Sequence, residues 1–167
     1  AHRMTRVERF WKGEGSPKSL TMFMTAGFPE RSTVPLALLL ASSGADLIEI
    51  GMPFSDPLAD GPVIQSSSER ALRNGVTLHT VLEDVRGIRS ASPVPLVLMG
   101  YVNPVLAFGP ERFFLAAADA GFPGAEGVDG DGRVAHGRQI ADLATGEDRG
   151  LVEVGGDQRR QGEQLAT

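Results

Sequence analysis

The sequence predicts an α/β fold built on parallel strands, and three observations predict it. Short apolar runs closed by glycine alternate, up to Gly121, with longer stretches of helical period. The runs are nearly continuous in apolar residues, as expected of strands covered on both faces. The stretches between them open on Pro, Ser or Thr and stop at Gly or Asn-Gly, which is how helices are punctuated.

The elements follow in order. SLTMFMTAG (19–27) is rich in Thr and Phe and ends on glycine, so it reads as a buried strand. In STVPLALLLASSG (32–44), Ser32 or Thr33 is the expected cap, Pro35 suits the first turn and Gly44 lies past the end of a helix. ADLIEIG (45–51) is strand again. PVIQSSSERALRNG (62–75) opens on Pro62 and stops at Asn74-Gly75, which is compatible with a helix despite three serines. In TLHTVLEDVRGIRS (77–90), Leu78, Val81, Leu82, Val85 and Ile88 recur at helical spacing, with Thr77 as cap. VPLVLMGY (94–101) is a third strand. GPERFFLAAADAG (109–121) is a helix with Pro110 near its start and Gly121 after its end. Alternating strand and helix means parallel strands joined by right-handed crossovers. A doubly wound sheet and a (β/α)₈ barrel both begin this way.

After Gly121 the pattern stops. Residues 122–167 hold one aromatic, Phe122, and about half of the chain's 21 glycines. RQIADLA would make a turn or two of helix and GLVEVGG a short strand, and this segment is expected to be mostly poorly ordered. The division is therefore a partial βα domain over 1–121 and a Gly/Arg/Asp-rich tail over 122–167. A net charge of -5 argues against a nucleic-acid or anionic-membrane surface. The absence of cysteine excludes disulfides and thiolate metal sites. The longest apolar run, around Leu36 to Ala41, is far shorter than the roughly 20 residues of a bilayer span. With no signal-peptide pattern at the N-terminus, a soluble, cytoplasmic protein is expected.

Three carboxylates stand out. Within Asp46-Leu47-Ile48-Glu49-Ile50-Gly51 a period of two puts Leu47, Glu49 and Gly51 on one face. A glutamate near the C-terminal end of a barrel strand sits at the mouth, where desolvation suits it to acid/base work; a rim-exposed or ion-paired glutamate is the plain alternative. Asp56 and Asp60 lie in MPFSDPLADGP, where Asp-Pro and Asp-Gly also serve ordinary turns. That loop leaves the C-terminal end of Glu49's strand, so it can fold over whatever binds there. Tyr101 and Asn103 follow the third strand and would reach the same mouth. VDGDGR (128–133) begins like a calcium loop, but Arg133 and Ile140 stand where ligands are needed. His2, His79 and His136 are scattered, and no phosphate-binding glycine motif occurs.

IEIGMPFSDPLADGPVIQ (48–65) closely resembles the signature of the tryptophan synthase alpha chain family, and so do FMTAGFP (23–29), ALRNGVT (71–77) and LMGYVNPVLAFG (98–109). The likeness covers about residues 5–121 in the right order and spacing. It implies a (β/α)₈ TIM barrel, a lyase of tryptophan biosynthesis that splits indole-3-glycerol phosphate into indole and glyceraldehyde 3-phosphate. By the resemblance, Glu49 is the catalytic proton shuttle, and Asp60 is the aspartate that binds the indole N–H. Phe23, Met99 and Tyr101 line the indole pocket. Pro53, Phe54, Ser55, Asp56 and Pro57 face a beta chain in an alpha2beta2 assembly. That beta chain carries pyridoxal phosphate, and no cofactor is expected in this one.

Beyond Gly121 the family's fourth strand and phosphate-binding loops are not recognisable. The expectation is an incomplete barrel of about three βα units with a tail of frameshift character, of negligible lyase activity alone. A non-catalytic chain that binds a beta-type partner is the alternative. A sugar-phosphate epimerase or isomerase barrel would share the architecture but not the loop from Pro53 to Pro62.

Overall fold

The computed structural model describes residues 19–122 and three further strands, 125–128, 134–135 and 151–156. RQIADLA, VDGDGR beyond Val128, His2 and His136 lie outside the described residues. Three parallel strands, β1 (Thr21–Thr25), β2 (Leu47–Gly51) and β3 (Leu96–Tyr101), lie side by side in chain order. The crossovers are helical: α1 (Val34–Ser42) between β1 and β2, then α2 (Pro62–Arg73) and α3 (Leu78–Ala91) between β2 and β3. All three strands and all three helices stand where the residue pattern places them.

Register sorts the two faces of the sheet. Met24, Ile50 and Leu98 form one row, and Met22, Ile48 and Leu96 another on the same side. Ile48, Ile50, Leu96 and Leu98 are fully buried, and Val81, Leu82, Val85 and Ile88 of α3 are buried in the same core. Each such aliphatic side chain contributes about 1.5–3 kcal/mol by leaving water. The opposite face carries the rows Phe23–Glu49–Val97 and Thr25–Gly51–Met99, with Tyr101 one step beyond.

Two connections differ from the residue-level reading. A helix, α4 (Val102–Phe108), follows β3 directly, in a stretch to which the sequence reading assigns no element. Pro104 sits in its first turn and Gly109 ends it, but seven residues are too few for a period to register. Next comes α5 (Pro110–Asp119), as expected, burying Phe113 and Phe114. At the start of α1, neither Ser32 nor Thr33 caps with its own side chain. The Asp84 carboxylate on α3 accepts from the Thr33 N–H at 2.7 Å instead, while Thr33 Oγ1 accepts from the Gly27 N–H at 3.2 Å. Thr77, by contrast, caps α3 in a reciprocal box with Thr80.

The turn after β1 is clamped from a distance. Gly27 has φ +76°, and a Cβ there would fall 2.0 Å from Val76 Cγ2. The Asn74 side-chain amide donates to the carbonyls of Gly27, at 3.0 Å, and Pro29, at 3.1 Å. FMTAGFP and ALRNGVT, far apart in the chain, are two halves of one contact.

Past Phe122 the sheet continues with antiparallel pairing. GLVEVGG supplies the expected strand, β6 (Leu151–Gly156), which pairs antiparallel to β3. β4 (Ala125–Val128) pairs antiparallel to β6, and β5 (Val134–Ala135) to β4. The strand order is β1-β2-β3-β6-β4-β5. No described helix is long and apolar enough to cross a membrane.

Candidate functional site

The C-terminal ends of β1, β2 and β3 open onto a cleft. Its lining includes Phe23, Asp60, Ser68, Met99 and Tyr101. Gly51 makes room for it, because a Cβ at that position would lie 2.6 Å from the Phe23 ring. Phe23 keeps 37% of its surface exposed there, which is high for an aromatic residue in a central row of a sheet.

Asp60 arrives on the loop after β2. That loop is folded on itself by the Leu58 N–H to the Asp56 carbonyl at 2.9 Å and the Asp60 N–H to the Pro57 carbonyl at 3.1 Å. Gln65 on α2 donates to the Asp60 carbonyl at 2.9 Å. The Tyr101 hydroxyl accepts from the Ala59 N–H at 2.9 Å, and its ring lies 5.1 Å from that of Phe54. Tyr101 is thus the floor-to-loop connection. Burial raises its phenol above the ordinary value; the Ala59 N–H opposes this, and the neighbouring Asp60 carboxylate adds to the rise by charge and by hydrogen bonding.

Glu49 is half-buried on β2, between Phe23 and Val97 in register. Its carboxylate has no hydrogen-bond or ion-pair partner among the described residues. It sits one row deeper than the Thr25–Gly51–Met99 row that lines the cleft. The structure therefore brings Phe23, Asp60, Met99 and Tyr101 together around one opening, with Glu49 on the same sheet face. The loop residues divide: Pro53 is buried, Phe54 and Pro57 are half-buried, and Ser55 and Asp56 are exposed. The large apolar groups most exposed nearby are Leu58, at 72%, and Val63, at 77%, neither singled out from the sequence.

Thr25, Ser67 and Ser68 also escape a plain reading of the sequence. A signal was available: Ile64, Ser67, Ser68 and Ala71 follow the i, i+3, i+4, i+7 spacing of a core-facing stripe, so two serines occupy apolar positions. His79 stacks on Phe108 at 4.6 Å. Among the described residues no cluster of His, Asp or Glu is arranged to hold a metal ion.

A family model described as tryptophan synthase alpha chain matches residues 12–129, running past the Gly121 boundary read from the sequence. The tryptophan synthase alpha chain of Geobacter sulfurreducens is 56% identical over 114 residues, covering 68% of this chain and 42% of that protein. The chain thus spans less than half the length of the relatives it matches. Among solved structures, tryptophan synthase subunit alpha from Legionella pneumophila superposes with a TM-score of 0.65 at 41% identity, over 71% of this chain and 47% of that one. A tryptophan synthase complex from Pyrococcus furiosus gives 0.56 at 42% identity, over 62% and 43%. These neighbours are TIM barrels, and the three parallel strands with their helices are an incomplete barrel of that kind.

Proposed function

Because this chain belongs to the tryptophan synthase alpha chain family, we propose that its two carboxylates serve a retro-aldol cleavage of indole-3-glycerol phosphate to indole and glyceraldehyde 3-phosphate. The observation that carries the reading is the meeting of Asp60 and Tyr101 over a cleft walled by Phe23 and Met99, on the sheet face of Glu49. An aromatic and a thioether wall suit an indole ring, and a carboxylate at the rim suits its N–H. Glu49 moves the proton to and from the ring carbon, and Asp60 stabilises the positive charge that develops on the ring. No cofactor takes part in this step; pyridoxal phosphate belongs to the beta chain.

Indole titrated into the chain and followed by amide NMR tests the binding half. Shifts are expected at Phe23, Met99 and Tyr101, weakened in Asp60→Asn; a titration that leaves all three unmoved overturns the reading. Three parallel strands supply only part of the wall that a closed barrel builds, so turnover by this chain alone is expected to be negligible. Whatever indole release occurs should fall about 10²- to 10⁴-fold in Glu49→Gln.

A second reading rests on the exposed Leu58 beside Ser55 and Asp56. Apolar surface on a folded, pinned loop supports docking of a tryptophan synthase beta chain, with or without catalysis here. Co-purification with a beta chain, lost in Leu58→Asp, supports it; capture unchanged by that substitution removes it.

A further inference from the structure

Where α2 passes β1, the hydrogen bonds assign each hydroxyl a direction. Ser67 Oγ lies 2.9 Å from the Ile64 carbonyl, which can only accept, and 2.7 Å from Thr25 Oγ1. Serine has a single hydroxyl proton. Ser67 gives it to Ile64, so Thr25 gives its own to Ser67 and is left with lone pairs only. Thr25 lines the cleft, as does Asp60, so two groups there accept and do not donate.

Ser68 is the group left over. It is 4% exposed and lines the same cleft, and its hydroxyl has no hydrogen-bond partner among the described residues. Most of the residue is buried, but its hydroxyl faces the cleft, where a group that enters can complete it. Beside two acceptors, that entrant is a hydrogen-bond donor.

We propose that Ser68 is a specificity-determining residue of this cleft, its hydroxyl oxygen accepting, with Asp60, from the ring N–H of a bound indole. The inference rests on the reading of the cleft as an indole site. It adds a residue from α2 to those on β1, β3 and the loop, and it makes selection for an N–H a shared task.

The test compares indole with 1-methylindole, which keeps the ring and loses the donor, binding to the full chain by calorimetry. Wild type should prefer indole. S68A should keep the fold, since alanine favours helix, and lower that preference about threefold to tenfold. S68T, which retains the hydroxyl, should restore it. A preference unchanged in S68A overturns the assignment while leaving the cleft an indole site. Both ligands weakened alike in S68A mark a packing effect and also overturn it. Wild type binding neither compound overturns this inference together with the reading beneath it.

Discussion

The Tyr101 hydroxyl at the end of β3 accepts the Ala59 N–H at 2.9 Å, tying the loop that carries Asp60 to the rigid sheet. The contact joins residues 42 apart in sequence. A loop held this way presents its carboxylate at a defined place before any ligand arrives.

Tyr101→Phe keeps the ring against Phe54 and removes the hydroxyl that accepts from Ala59 and faces Asp60. Stability should fall by about 0.5–1.5 kcal/mol, and the Ala59 amide should exchange with solvent faster than in wild type. Unchanged exchange at Ala59 would show that something else holds the loop.

Tyr101 is the chain's one tyrosine, so phenolate absorbance reports this group alone. It should titrate above the ordinary 10.0, and part of the rise should vanish in Asp60→Asn. The folded state favours the protonated phenol, so its contribution to stability is full below pH 10 and is lost as pH rises through the folded value. Thermal stability should therefore drop more steeply above pH 10 in wild type than in Tyr101→Phe.

Gly27→Ala meets two separate penalties, a left-handed backbone and Val76 Cγ2 at 2.0 Å. It should destabilise by about 2–4 kcal/mol. Adding Val76→Ala should recover only the steric share, as read from denaturant midpoints. Full recovery would mean that the backbone conformation costs nothing here.

Asp84→Asn leaves a side chain of the same shape on α3 but removes the charge at the Thr33 N–H. A loss of about 1–2 kcal/mol is expected, larger than for Ser32→Ala, whose hydroxyl sits 3.4 Å from the same carboxylate. Equal effects of the two substitutions would refute the assignment of the cap to Asp84.

Local signals carried most of the fold. Glycine stops, first-turn prolines and the Val81–Ile88 stripe are properties of neighbouring residues, so they survive without knowledge of the tertiary structure. What was illegible depends on distant partners. Thr33 has a capping residue's chemistry yet spends its oxygen on Gly27, because Asp84 arrives from another helix. The strand at Leu151–Gly156 could be read, but not its place on the edge of β3 or its direction. At the site, Glu49 and Asp60 were visible as carboxylates in unusual settings. Ser68 had only its place in the 64–67–68–71 stripe to mark it, and a serine in a helix reads as surface unless that stripe is taken as interior.

The Asn74 clamp also orders assembly in time. It joins residues separated by 47 positions in sequence, a closure costing about 3 kcal/mol of chain entropy before any contact repays it. The turn after β1 therefore cannot settle until β2 and α2 have both arrived. Ordering of that turn waits on the second helix, and substitutions at Asn74 should hasten unfolding more than they slow refolding.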